Sequence, residues 1–200
     1  MGKIFYLIGK TASGKDTLYR RILENCPELR TYTMYSTRPM RPGEQNGSSY
    51  YFVTEQELLE FEKKGELIEK RIYQTILGPW TYATVDDGQI DLSAHDYLLG
   101  SGTLESYVKM REYYGADRLV PLYIASDDGA RLLRSVKREM LAEQPNYKEV
   151  CRRFLSDEAD FAPEKLVEAG IGKIFRNDDL ECCLEELIGA IRKSTVSEAH

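Results

Sequence analysis

Apolar and polar positions along the chain predict strands and helices in alternation. A continuous apolar run at residues 4–8 predicts a buried strand. From Thr17 the apolar residues recur at helical spacing, and this helix is expected to end near 25–27, where Pro27 follows. Thr54 and Glu57 form a capping box before a second helix, which Gly65 ends.

The same patterns predict the remaining elements. Further strands are predicted at 29–35, 50–53, 66–73, 96–99, 119–125 and 173–176. Further helices are predicted at 103–114, from a Ser126 cap onward, at 147–161 and at 177–191, while 74–94 is irregular. Because strands and helices alternate, we expect a parallel sheet covered on both faces, with ligands at the carboxyl ends of its strands.

A glycine-rich turn joins the first strand to the first helix. It meets the spacing G-x-x-x-x-G-K with Gly9, Gly14 and Lys15, so that backbone N–H groups and a lysine face one anion. The alternative is a turn without a ligand and an ordinary surface lysine. Asp16 stands where a magnesium-holding serine or threonine is usual, although an acid in a first helical turn is also stabilised by the helix dipole.

A second candidate anion site lies in the irregular segment 36–47. Arg38 and Arg41 are three residues apart between prolines, which predicts a rigid double cation, because a guanidinium offers paired donors to phosphate oxygens. The alternative is a pair of solvated loop arginines.

Composition narrows the functional classes. The chain has 200 residues with 27 basic and 33 acidic side chains, giving a net charge of −6. This balance argues against general affinity for a nucleic-acid backbone, and no apolar run is long enough to cross a bilayer. Four cysteines without metal-ligand spacing, and a first strand that leaves no signal peptide, lead us to expect a cytoplasmic protein. The oligomeric state is left open.

Nearly the whole length resembles guanylate kinase, a P-loop nucleoside monophosphate kinase. The most specific segment, Ser36 to Glu44 with Asn46–Gly47 and 50–53, is similar to the GMP-binding signature of that family, shortened by one residue before its first arginine. Leu67-Ile68-Glu69 and Asn177-Asp178-Asp179-Leu180 are similar to two further family segments, the second close to the adenine pocket.

The resemblance implies a fold, a division of the chain and a reaction. The fold is α/β, with a three-layer P-loop NTPase-type parallel sheet core, a small β-containing GMP-binding subdomain and a helical lid. The core would comprise 1–35, 95–125 and 171–195, the subdomain 36–94 and the lid 126–160. The reaction would transfer the γ-phosphoryl group of ATP to GMP with Mg²⁺, giving ADP and GDP, with these nucleotides as the partners.

The resemblance also implies site residues. Lys15, Arg134 and Arg153 would be catalytic, with Arg152 as the rival of Arg153. ATP would be bound by Gly9, Thr11, Ala12, Ser13, Gly14, Lys15, Asp16, Thr17 and Asn177. GMP would be bound by Ser36, Arg38, Arg41, Glu44, Tyr50, Glu69, Tyr82 and Thr84. Glu69 would accept the guanine N–H donors, which adenine lacks. Glu69 could instead be a strand residue that points outward, and Tyr50 could instead pack in the core. The lid arginines could instead lie on an exposed helix face.

Three departures separate the chain from the family pattern. Asp16 replaces the hydroxyl residue, the strand at 96–101 lacks a D-x-D, and Met34 replaces a small hydroxyl residue beside the base. We expect Asp16 to take over metal positioning, with Thr17 as the rival ligand. Two other functions stay open: an interaction module without catalysis, and a kinase for a different small phosphate.

Overall fold

The main sheet consists of four parallel strands. The computed structural model of the protein describes residues 2–41, 43–75 and 78–196. The strands, in sheet order, are β6 Tyr97–Gly102, β1 Ile4–Ile8, β7 Leu119–Ala125 and β8 Ile174–Arg176. All pairings between them are parallel, and every residue of β1 is buried. The predicted parallel sheet is confirmed.

Helices cover this sheet on both faces. Ile4, Tyr6 and Ile8 of β1 pack in one hydrophobic cluster, which includes residues of α3 (Leu104–Tyr114). The side chains between them, Phe5 and Leu7, pack in a second cluster with α1 (Lys15–Asn25) and α7 (Leu180–Val196). Alternate residues of a strand point to opposite faces, so the fold has the three layers that were predicted.

A smaller mixed sheet extends from the main one. Its order is β3 Tyr51–Phe52, β2 Tyr35–Ser36, β5 Gly78–Val85 and β4 Leu67–Thr75. Helix α2 (Glu55–Lys64) begins with the predicted Thr54–Glu57 capping box and ends at Gly65. This sheet and helix share a separate hydrophobic cluster built on Tyr35, Leu58, Ala83 and Val85.

Three helices lie between β7 and β8. They are α4 Asp128–Glu139, α5 Tyr147–Asp160 and α6 Pro163–Glu168. The division of the chain into core, GMP-binding subdomain and lid stays a proposal that these elements allow.

Two predicted strand assignments were wrong. At 29–35 only Tyr35 joins a strand, and Arg30 makes a single bridge to Tyr97; the apolar positions reflect the burial of Leu29 and Tyr35 in separate clusters. The region 74–94 contains β5, which the dipeptide Gly78-Pro79 concealed; residues 76 and 77 lie outside the described ranges. Pro79 is tolerated because β2 pairs only with Tyr82 and Ala83, so no strand of the sheet lies beside Pro79 on that side.

Two helix predictions also need correction. Helix α4 is capped by Asp127, whose side chain accepts a hydrogen bond from the Ala130 N–H. Ser126 instead donates its hydroxyl to the Asn177 carbonyl, 3.3 Å away. Helix α6, with Pro163 at its first position, is a further element that the sequence pattern did not predict.

None of the helices within the described ranges has both the length and the apolar character that a membrane span requires.

The burial pattern predicts which leucines stabilise the fold. Leu187 of α7 is fully buried in the cluster beneath the sheet. Leu187→Ala should lower the free energy of unfolding by about 2–5 kcal/mol, because it removes buried methyl groups and leaves a cavity. Leu141 is 88% exposed, so Leu141→Ala should change it by less than about 0.5 kcal/mol. Urea denaturation measures both, and equal effects would contradict the assigned core.

Candidate active site

The glycine-rich turn, residues 9–15, lies between β1 and α1 and requires glycine at two points. Gly9 has φ +153°, and a Cβ there would lie 2.4 Å from the Ile124 carbonyl oxygen of β7. Gly14 has φ +94°, and a Cβ there would lie 2.2 Å from Asn177 Nδ2. The turn is therefore pressed against the end of the main sheet from behind, with its conformation set by that contact.

Lys15 folds back over this turn. Its Nζ donates hydrogen bonds to the carbonyls of Gly9 at 2.6 Å and Lys10 at 2.8 Å. Burial lowers the pKa of the Lys15 ammonium to about 8, partly offset by the charges of Asp16 and Asp157. A phosphate beside it would favour the charged form.

Helices α4 and α5 reach the turn from the other side. Arg134 donates to the Ala12 carbonyl at 2.7 Å and to Ser126 Oγ at 2.6 Å. Arg131 is buried and donates to the Thr11 carbonyl at 3.1 Å. The Thr11 N–H in turn donates to Asp157 at 2.7 Å. The predicted lid residue Arg134 is thus held at the turn itself.

A cavity of about 440 Å³ opens in front of the turn. We call it the loop cavity; it is lined by Ala12, Gly14, Lys15, Asp16, Thr17, Arg134, Arg138, Asn177, Asp178 and Leu180. Asn177 Nδ2 donates to the Ser13 carbonyl at 2.8 Å, which ties the segment directly after β8 to the turn. Within the described ranges the buried Ser13 hydroxyl has no hydrogen-bond partner. Arg138 was not predicted; its position one turn after Arg134 on α4 was the available signal.

Arg153 lies on α5, four residues before Asp157, beside a separate cavity that Thr11 and Arg138 also line. Arg152 and Arg153 both donate to Glu149, each from Nε at 2.7 Å. These hydrogen bonds, of which the one from Arg152 has the largest effect, lower the pKa of the Glu149 carboxyl to about 2. Arg153 lines this cavity together with Thr11 of the turn.

The predicted double cation in segment 36–47 has a different form in the structure. Arg38 is buried and donates from both Nη atoms to the Glu44 carboxylate, while the exposed Arg41 donates its backbone N–H to Glu44 at 2.8 Å. The hydrogen bonds from Arg38 lower the pKa of Glu44 to about 2. Arg38, Arg41 and Glu44 together therefore carry one net positive charge, where two had been expected.

Aromatic rings cover Arg38. Its guanidinium lies 5.0 Å from the Tyr50 ring centroid and 5.1 Å from that of Phe52. Tyr50 also makes an edge contact with Tyr82 at 5.6 Å. The buried Ser36 hydroxyl accepts from the Arg38 N–H at 3.3 Å and donates to the Thr81 carbonyl. Ser36 and Glu44 thus hold Arg38, and Tyr50 links it to the neighbouring cavity.

A third cavity, of about 200 Å³, lies between the two sheets. We call it the tyrosine cavity; it is lined by Tyr6, Asp16, Tyr19, Tyr32, Met34, Ser49, Tyr50, Thr84, Leu99 and Gly100. The pattern had marked Tyr6 only as a core strand residue, and Tyr19 and Tyr32 as parts of a helix and a strand. Asp16 lines both this cavity and the loop cavity, so the two adjoin at this residue.

Glu69 is buried behind the tyrosine cavity. Its carboxylate accepts a hydrogen bond from Thr84 Oγ1 at 2.8 Å and forms an ion pair with Arg71, whose Nε lies 3.1 Å away. Glu69 therefore points inward, against the alternative of an outward strand residue. Arg71 was not predicted, although residues two apart on a strand share a face.

Magnesium would find few protein oxygens here. In the described part of the chain no three His, Cys, Asp or Glu side chains cluster as a metal site. Mg²⁺ keeps several waters and takes one or two carboxylates together with substrate phosphates. The exposed Asp16 carboxylate, where the two cavities meet, fits that modest requirement, with the Thr17 hydroxyl beside it on the loop cavity.

Comparisons with known proteins find similarity to guanylate kinases. Residues 1–86 match the family model described as guanylate kinase. A guanylate kinase of Nostoc sp. is 46% identical over 68 residues, and the match covers 34% of each chain, about a third of that relative. A guanylate kinase of Thermotoga maritima is 23% identical over 202 residues, covering 96% of this chain and 86% of the relative.

A solved structure shares the fold. The crystal structure of guanylate kinase from Anaplasma phagocytophilum superposes with a TM-score of 0.59 at 22% identity, covering 96% of this chain and 85% of that one. The glycine-rich turn and segment 36–47 both fall in the part of the chain that the family model matches. The chain is thus similar to guanylate kinases in sequence over its first 86 residues and in fold over nearly its whole length.

Proposed function

We propose that the protein is a nucleoside monophosphate kinase that transfers the γ-phosphoryl group of ATP to GMP, giving ADP and GDP. The observation that carries this proposal is the contact between the two cavities at Asp16. A glycine-rich cradle with its lysine lies on one side, and a pocket backed by a buried carboxylate lies on the other. Phosphoryl transfer needs donor and acceptor aligned between positive charges, and little covalent chemistry from the protein.

The loop cavity would bind ATP. The N–H groups of the glycine-rich turn and Lys15 would hold the β- and γ-phosphates. Asn177 and Leu180, which line the same cavity, would lie near the base. Arg134, now on the Ala12 carbonyl, would turn a donor toward the phosphates, and Arg153 would approach as α4 and α5 close over the nucleotide.

The tyrosine cavity would bind GMP. Arg38, Arg41 and the hydroxyls of Tyr50 and Tyr82 would bind its phosphate, with Ser36 and Glu44 supporting Arg38. Glu69 and Thr84 would read the guanine edge.

Asp16 would hold Mg²⁺ between the nucleotides, directly or through water. When bound, the ion would neutralise the charge that develops on the phosphate oxygens. Within the described ranges the side chains of Asp16 and Thr17 make no hydrogen bond, so an oxygen of either is available to the ion.

A coupled assay with ATP, Mg²⁺ and a panel of nucleoside monophosphates and sugar phosphates tests the proposal. We expect turnover with GMP and little with AMP. ATP binding without turnover on any acceptor would support an interaction module instead. Turnover on another phosphate but not on GMP would support a kinase of different specificity.

The lowered pKa of Lys15 predicts how ATP affinity depends on pH. Free Lys15 has a pKa of about 8, and bound phosphates raise it, so above pH 8 binding must take up a proton and affinity must fall as pH rises. We expect the Kd for ATP to increase about tenfold between pH 7 and pH 9, measured by calorimetry. Lys15→Arg, which stays charged, should give a flat curve over that range, and a flat wild-type curve would contradict the assignment.

The position of Asp16 predicts a magnesium phenotype. Asp16→Asn should raise the Mg²⁺ concentration for half-maximal GMP turnover by about tenfold or more and weaken the enhancement of ATP affinity by Mg²⁺, because a charged oxygen ligand is lost. Thr17→Val is the matched variant for the rival ligand. Unchanged titrations in Asp16→Asn, with a shift in Thr17→Val, would assign the role to Thr17.

A further inference from the structure

The Glu69 carboxylate, which would read guanine, already has a partner that offers the same pair of N–H donors as guanine. Arg71 donates to Glu69 from Nε at 3.1 Å to one oxygen and from Nη2 at 3.3 Å to the other. Thr84 donates to the same carboxylate at 2.8 Å. Three of its approximately four acceptor positions are thereby taken. The side chains of Glu69 and Arg71 are 3% and 11% exposed, so water does not substitute for this partner.

The donor edges of arginine and guanine are alike. Guanine presents its N1–H and exocyclic N–H side by side, and a guanidinium presents Nε–H and Nη–H in the same parallel fork. We propose that Arg71 is a specificity-determining residue that occupies the guanine-reading position of Glu69, so that GMP binds only by displacing it. This inference rests on the proposed function for the identity of the acceptor.

The surroundings of Arg71 support an exchange of this kind. Its Nη2 lies 4.0 Å from the sulfur of Met34, and Met34 itself lines the tyrosine cavity. A thioether is a weak acceptor and a flexible neighbour, so Glu69 is the strong partner that the guanidinium has on this side. When Arg71 leaves Glu69, it therefore loses both hydrogen bonds to the carboxylate. Only a ligand with two parallel N–H donors replaces them for Glu69.

Two consequences follow for binding. Wild-type affinity for GMP is held down, because each binding event must break a buried ion pair. The preference for GMP over AMP is narrowed, because AMP has no paired donors, leaves the Arg71–Glu69 pair intact and so loses no affinity to it. A ligand that uses only the phosphate and ribose contacts is unaffected by Arg71.

The test compares GMP and AMP binding by calorimetry at pH 7.5, without turnover, in wild-type protein, Arg71→Ala and Arg71→Lys. We expect Arg71→Ala to bind GMP at least tenfold more tightly, with AMP and ATP unchanged. Arg71→Lys keeps a charge beside Glu69 but has no fork, and it should show a smaller gain in the same direction. It also serves if Arg71→Ala does not fold. Lys70→Ala, on the other face of the same strand and paired with Glu62, is the matched control and should bind GMP as wild type does.

A second measurement adds free guanidinium ion, which can fill the position that Arg71→Ala leaves empty. Millimolar guanidinium should weaken GMP binding to Arg71→Ala by occupying the vacated fork and should leave wild-type binding unchanged. Unchanged or weaker GMP binding in both folded variants would overturn the inference. Turnover of GMP by the wild-type protein decides the proposed function separately, since these binding measurements need no catalysis.

Discussion

The candidate site depends on the backbone of the glycine-rich turn being held from behind. Ile124 of β7 lies against Gly9, and Asn177, directly after β8, lies against Gly14 and donates to the Ser13 carbonyl. The carboxyl ends of two strands of the main sheet thus fix the conformation of the turn. An anion bound there would meet a backbone that is already ordered, so binding would order little of the turn.

Four cations of the site have an internal partner. Lys15 bonds to carbonyls of its own turn, Arg38 to Glu44, Arg71 to Glu69, and Arg153 to Glu149. In a protein of net charge −6 this pairing keeps buried and half-buried charges compensated before a ligand arrives. Binding is then an exchange of partners, and selectivity depends on which ligands reproduce the geometry of the partner that they replace. A phosphate can do so at Lys15, whereas Arg71 can be replaced only by a planar pair of donors.

The sequence predicted the parts of this arrangement that depend on local pattern. The spacing of Gly9, Gly14 and Lys15 and the strand before them sufficed for the turn, and the Thr54 capping box sufficed for α2. It failed where the outcome depended on which strand lies alongside. Pro79 stands in β5 only because the two-residue strand β2 does not extend beside it, and no local rule contains that fact. Asp127 caps α4 in place of Ser126, whose hydroxyl donates to the carbonyl of Asn177, far along the chain.

Arg71 shows the same limit for the site itself. A strand pattern places residues 69 and 71 on one face, but only the fold shows that this face is buried behind the tyrosine cavity, where a carboxylate cannot stay unpaired. Without Arg71, Glu69 would be a buried charge held by one hydroxyl, so the arginine stabilises the empty pocket as well as competing for it. A small side chain at residue 71 would favour guanine binding and leave the free protein with an uncompensated charge. The described structure has the opposite arrangement, in which the empty state is satisfied and the ligand must offer a better match.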